Sequence, residues 1–533
     1  MSGQGLVSLQ WQDYMVLAAY LIGMLALGVA ALRRQQSDAD YFLGNRHMPP
    51  VIVGISIVTS LLSSLTYLAE PGEVWRSGIT HVAGKLAGIP LGLLLVWTIS
   101  IPFMMRFHFT SAYEYLDARF GPTCRRLGVS LFVLMMVLWM GFVVQTLSKV
   151  FHQLTAIPLG VVIFTVGLVA TAYTVLGGLR AVVWTDVVQA VLLIAGALVT
   201  IGVVVSATHS DPIDWLNTAR LHLHALGHRQ ALPWFSWDPT VRATVGTVAI
   251  NMAVWQLCMH TSNQVTVQRY FSTRDVRSAR RSLVVSGVFY AGITVLLVMV
   301  GLAVMHYYLS TGARLDGNLN AARQQDLIFP VFAVRHSVAG FGGAVLAGLM
   351  AAAMSSIDSG ANSIATVLAV EWQTTFRNST DGETVASSAL VHRAMRITLL
   401  AGLAITATAY LLTFLPAKWG IVGAIPRTFN AVTGPLGGLF LLGIFVPAVR
   451  SGAAFTATLA GMASSIALGY LEQISNLLVR TGLCSTPWPE LSFTWILPAS
   501  LATTLLVGVL LIPFDPTAKH SRDGLTWFTR ARR

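Results

Sequence analysis

Apolar and polar positions are segregated into long blocks along this chain. Thirteen largely apolar stretches recur, near 11–32, 50–68, 80–105, 127–150, 158–176, 184–206, 244–268, 282–308, 337–370, 397–415, 420–447, 453–471 and 493–513. A helix of ~20 such residues crosses the hydrocarbon layer of a bilayer, so each stretch predicts a span. Three stretches are interrupted by polar residues. The second, "VIVGISIVTSLLSSLTYLAEPGEVW", clusters hydroxyls and then reads Pro71-Gly72, which predicts a helix broken part-way. The seventh, "VAINMAVWQLCMHTSNQVTVQRYF", is polar in its middle. The ninth holds "MAAAMSSIDSGANS", with a carboxylate at membrane depth. An Asp at a helix centre costs ~2.5–3.5 kcal/mol on insertion, so a ligand is expected to offset it.

Composition agrees with the pattern. Charged residues are 11% of the chain and hydrophobic ones 55%. A soluble domain carries about 25% charged residues, so this is an integral membrane protein and all-α. Cys124, Cys258 and Cys484 show neither metal nor disulfide spacing. The first residues, "MSGQGLVSLQWQD", have no basic segment or cleavage site of a signal peptide.

The net charge of +12 is explained by the positive-inside rule and does not call for nucleic acid. With the N-terminus outside, segments facing the cytoplasm hold 22 of the 34 Lys and Arg and outer segments hold 9. An odd number of spans then leaves the basic C-terminal tail, 514–533, in the cytoplasm. Lys85, Lys149 and Arg427 remain at or near membrane depth. The outer loops 207–243 and 309–336 have room for short helices. The two polar spans lie five apart, the arrangement of transporters built from two inverted halves around a midplane site. The expected organisation is one membrane domain over 1–533. An extra helix at 11–32 comes first, then repeats at 50–206 and 244–447, and two further helices within 453–513.

Ala352, Ser355, Ser356 and Ser359 share one face of the ninth span, with Asp358 and Asn362 on an adjoining stripe. Paired hydroxyls beside freed carbonyls suit a small hard cation. The plainer reading is hydroxyls bonded to the preceding turn, or small residues that let helices pack closely. Asp358 on the same helix, opposite a broken span, favours the cation. Asp186, in "YTVLGGLRAVVWTDVVQ", reads as paired with Arg180 or as a functional acid near Ser359 and Asp358.

Seven segments, "YFLGNRHMPP", "EPGEVWRSGI", "TSAYEYLDARFG", "YTVLGGLRAVVWTDVVQ", "SNQVTVQRYFS", "LAGLMAAAMSSIDSGANSIAT" and "GPLGGLFLLGIFVP", resemble the sodium:solute symporter family over roughly 10–515. The second and third look most like its monocarboxylate, multivitamin and iodide branch. The resemblance implies the leucine-transporter fold with two inverted five-helix repeats, Na⁺ as coupling ion, and alternating access. It carries a main sodium site onto Thr59, Leu62, Ala352, Ser355 and Ser356. It carries a second cation site onto Asp186 and Ser359, together with the Ser355 hydroxyl. Asp358 departs from the family's hydroxyl at its position, so the second site takes either a cation or a proton. The substrate is placed among Ser63, Thr66, Gln256, Met259, His260 and Tyr290, with Lys85 and Arg427 near the cavity. His260 reads as a hydrogen-bonded core histidine ahead of a ligand.

The plainer reading of Lys85 and Arg427 is snorkelling to the interface, for Arg427 with an acidic partner; if either contacts the substrate, a small anion such as a monocarboxylate is expected. The expected function is Na⁺-coupled symport of that solute across the cell membrane, with no enzyme activity and no obligatory protein partner. Proton coupling, a sugar or neutral substrate, or a transporter-like nutrient sensor are the alternatives.

Overall fold

The computed structural model describes residues 9–32, 46–107, 109–175, 179–227, 233–316, 319–321, 323–377, 387–415, 419–515 and 524–529. Residues 1–8 and most of the basic tail from 514 lie outside the described residues. The described chain is helical, and each of the thirteen apolar stretches falls on a helix or a pair of helices.

The first half comprises α1 (Trp11–Leu32), α2 (Pro50–Leu61), α3 (Ser64–Ser77), α4 (Thr80–Met104), the short α5 (Tyr113–Phe120), α6 (Pro122–Thr155), α7 (Leu159–Val175) and α8 (Leu179–Thr208). The helix α9 (Pro212–Ala225) leads to α10 (Val245–Ser262), α11 (Gln264–Phe271) and α12 (Val276–Thr311). Then follow α13 (Gln325–His336), α14 (Phe341–Arg377), α15 (Ser387–Leu411), α16 (Gly420–Ala424), α17 (Asn430–Phe445), α18 (Ser451–Gly469), α19 (Leu471–Arg480) and α20 (Phe493–Leu510). The segments 207–243 and 309–336 each carry a helix, α9 and α13, as their composition allows. By length and apolarity alone, eight continuous helices and one bent pair among the described residues qualify as spans.

The bent pair is α2 and α3, which meet at 65°. Leu62 leaves helical geometry with ψ of 89°, and Ser63 is extended. The Ser63 hydroxyl accepts from the Leu65 N–H at 3.1 Å and so caps α3. The seventh span is also interrupted, at Asn263, whose side chain accepts from the Val265 N–H and caps α11.

Burial sorts the apolar helices into layers. About 83% of the apolar window of α14 is enclosed by protein, against 33% for α8. The helix carrying the serine pair is therefore central, and α8 turns much of its surface to lipid. α4 and α10 pack through a stripe of small residues on α4. A Cβ at Gly84 would meet Val248 at 2.5 Å, one at Gly88 the Ala249 carbonyl at 2.4 Å, and one at Gly92 Gln256 at 2.5 Å. The three glycines are one turn apart, the small-xxx-small device of membrane helices. Gly88 meets rigid backbone, so Gly88→Ala is expected to destabilise the protein by ~1–3 kcal/mol through overpacking. A melting curve in detergent checks this, and an unchanged midpoint would refute the close approach.

Candidate functional site

A helix end leaves its last carbonyls without intrahelical partners. The break after α2 creates such an end in the middle of the protein, and α14 answers it. The Ser355 hydroxyl donates to the Thr59 carbonyl at 2.9 Å and the Ser356 hydroxyl to the Ser60 carbonyl at 3.1 Å. Both hydroxyls also lie within 3.4 Å of the Ala352 carbonyl. Thr59, Ala352, Ser355 and Ser356 thus form one compact oxygen cluster, buried to 2% exposure or less. Leu62 lies in the break itself; here the carbonyl facing Ser356 is that of Ser60. The cluster consists of neutral oxygens at the carbonyl end of a half-helix, where the helix dipole favours a cation.

One turn further into α2 lies a charged network. Asp186 of α8, fully buried, accepts from the hydroxyls of Ser56 at 2.6 Å and Ser60 at 3.4 Å. Ser60 and Ser359 share a 2.7 Å bond. Asp186 and Ser359 therefore meet, as expected. Between them sits Arg269 of α11, one of the 22 Lys and Arg that the charge count puts in segments facing the cytoplasm. Its guanidinium is fully buried and donates to Ser56 at 2.8 Å, Ser60 and Ser359 at 2.6 Å, and Asp186 at 3.3 Å. Asp186 thus pairs with Arg269; the side chain of Arg180, the partner considered from sequence, lies outside the described residues. Asp358 faces another way, accepting a 2.5 Å bond from Thr174 of α7.

A cavity opens on the other side of the α2–α3 break, lined by Ser63, Thr66, Lys85 and Tyr290 of the expected set. Its further walls come from Glu70 on α3, Trp139 on α6, Asn251 and Trp255 on α10, and Phe429 and Asn430. Gln256, Met259 and His260 lie outside this lining. Gln256 packs on Gly92, the Met259 sulfur faces the Asn263 amide, and His260 bonds the Tyr270 hydroxyl. His260 is thus a hydrogen-bonded core residue.

Neither expected cation is bare. Lys85 is ion-paired with Glu70 and stands 5.6 Å from the centroid of the Tyr290 ring, with His81 Nδ1 3.7 Å from the second Glu70 oxygen. Arg427 lies outside this lining, over the ring of Trp419. It donates to Glu490 at 2.8 Å and to the carbonyls of Gly469, Gly423 and Leu491. Glu73, one turn after Glu70, takes Arg242 in a two-pronged pair, one prong at 2.9 Å. The two glutamates of "EPGEVW" were the available signal, because acids on a buried half-helix demand cations.

Comparison with known proteins agrees with this architecture. The sodium/sialic acid symporter NanT of Aliivibrio fischeri is 28% identical over 454 residues, covering 85% of this chain and 86% of that protein. Sodium-coupled monocarboxylate transporter 1 of Mus musculus is 29% identical over 470 residues, 87% of this chain and 74% of that protein. A solved Na⁺-coupled sialic acid symporter, substrate-bound and outward-open, superposes with a TM-score of 0.79 at 25% identity, over 96% of this chain and all of that one. These relatives are transporters and not enzymes. The sodium:solute symporter family matches residues 41–461, and this chain belongs to that family: it is a multi-pass membrane protein with the leucine-transporter fold and a Na⁺-coupled solute symporter.

Proposed function

We propose that the protein imports a small organic acid together with Na⁺ by alternating access. The observation that carries the reading is the pair of Ser355 and Ser356 hydroxyls laid against the carbonyls freed at the end of α2. Na⁺ enters there as co-substrate, held by Thr59, Ser355, Ser356, Ala352 and, once Ser356 turns from Ser60, Leu62. Binding ties α14 to α2 and so favours one orientation of the helices around the break. The halves 50–206 and 244–447 are read as the two inverted repeats that rock about this site. Of the second-site residues, Asp186 and Ser359 are read as bound to the Arg269 guanidinium, and Asp358 as a separate acid facing α7.

The substrate class is supported by Lys85, which has three N–H donors and keeps some after binding Glu70. The names of the sialic acid and monocarboxylate relatives point the same way. The Lys and Arg bias supports an outer N-terminus and a cytoplasmic C-terminus in the cell membrane.

Reconstituted protein tests the coupling. An inward Na⁺ gradient is expected to drive accumulation of a carboxylate at least tenfold above that in K⁺-only vesicles. Uptake that ignores Na⁺ and follows an imposed pH gradient would transfer the protein to proton coupling.

A further inference from the structure

The central cavity contains both signs of charge. Glu70 is 3% exposed and Lys85 13%, and they are each other's partner at the cavity wall. Such a buried pair adds little to stability, since apolar residues of the same size serve as well or better. Ionisable groups kept at membrane depth beside a cavity mark a substrate path. The walls beside the pair are aromatic. Trp139 and Phe429 stack with centroids 5.3 Å apart, and the Lys85 ammonium already lies over Tyr290.

We propose that the Glu70–Lys85 pair makes this cavity a receptor for a small zwitterion, a solute carrying both a carboxylate and an ammonium group. The inference rests on the reading of the cavity as the acid-binding site and narrows its ligand. A bare monocarboxylate bound to Lys85 would place a second negative charge beside Glu70, with one ammonium shared between two carboxylates. A zwitterion avoids this. Its carboxylate takes Lys85, its ammonium takes Glu70, and every buried charge keeps an opposite partner. Trp139 and Phe429 line the same cavity, and aromatic rings attract primary and quaternary ammonium alike. His81 stands near this pair, its Nδ1 3.7 Å from the second Glu70 oxygen.

Thermal stabilisation of the full chain in Na⁺ and in K⁺ tests the inference. The zwitterions are L-alanine, β-alanine, L-proline and glycine betaine; the monocarboxylates are acetate, lactate and pyruvate; glucose is the neutral probe. At least one zwitterion is expected to stabilise in Na⁺ with a half-saturating concentration tenfold or more below that of any monocarboxylate. Glu70→Gln is expected to reverse the order, since it removes the charge that repels a bare anion. Monocarboxylates saturating as low as the zwitterions in the wild type would overturn the inference and leave Na⁺-coupled acid uptake standing. A response to glucose alone would overturn both, and no response to any zwitterion overturns the inference. A zwitterion response identical in Na⁺ and K⁺ would uphold the charge matching and remove the coupling. The wild-type panel decides even if Glu70→Gln fails to fold.

Discussion

Replacing Ser355 and Ser356 together by alanine is expected to lower Na⁺-driven uptake by at least about 100-fold while the protein still folds. Each hydroxyl is one oxygen of the cluster facing the α2 break. An interaction with a charged group is worth about 1.5–3 kcal/mol, so two lost ligands remove at least ~3 kcal/mol. Each 1.4 kcal/mol is about tenfold in affinity, which gives the expected factor. The folded state also loses the two hydrogen bonds that the serine hydroxyls donate to the Thr59 and Ser60 carbonyls. Because these carbonyls end a half-helix, water admitted at the break can replace the hydroxyls, and the stability loss stays within ~1–3 kcal/mol per group. The two effects separate experimentally. The midpoint of melting in K⁺ reports folding, and the Na⁺-induced rise in that midpoint reports the site. The double variant is expected to keep most of the first and none of the second. Wild-type Na⁺ activation in the double variant would remove the assignment. Ser355→Thr, which keeps the hydroxyl, is expected to retain Na⁺ dependence.

The parts of this site that periodicity reaches were legible in the sequence. Twenty-residue apolar blocks yielded the spans, and hydroxyls ahead of Pro71-Gly72 signalled the break, which falls at Leu62 and Ser63. The serine pair lay on one helical face whatever the fold. What escaped is what depends on tertiary pairing. Arg269 follows a polar run and precedes a basic segment, so a charge count places it in the cytoplasm. Only the short helix α11, turning inward after Asn263, brings it to Asp186. Lys85 and Arg427 were recognised as cations at depth, but their acids lie 15 and 63 residues away and no local pattern joins them. On α10 the polar run nearest the break drew attention to Gln256, Met259 and His260. The cavity instead meets α10 about a turn earlier, at Asn251, Met252 and Trp255. The polar residues next to the break bond other helices: Thr261 meets Ser100, and Gln264 meets the Ala112 N–H. Polarity within a span thus marks either a ligand site or a helix junction, and the partner decides which.

Arg269→Leu is expected to be the most destabilising single substitution in the buried core. The guanidinium is wholly enclosed and supplies bonds to Ser56, Ser60, Ser359, Asp186 and the Val265 carbonyl. Removing it takes away the cation that Asp186 pairs with, and breaking a buried pair from one side costs about 3–5 kcal/mol. Asp186→Asn is expected to cost a similar amount, because it strands the guanidinium instead. The double variant removes both charges and is expected to be more stable than either single one. Its penalty falls well short of the sum, and that shortfall is the coupling a double-mutant cycle reads. Unfolding half-lives at a fixed temperature are the appropriate measure if melting is irreversible. Additive penalties would mean that Arg269 and Asp186 stabilise the protein separately, through their hydroxyl partners rather than through each other. The same cycle bears on the coupling ion. The cage of Ser56, Ser60, Ser359 and Asp186 is occupied by a cation tethered to the chain, one turn from the carbonyls that face Ser355 and Ser356. A variant that keeps Asp186 but lacks the guanidinium is therefore expected to recover part of its stability as Na⁺ is raised. A variant lacking both charges is expected to show no such gain, and equal Na⁺ responses in the two would show that the cage holds no ion in place of Arg269.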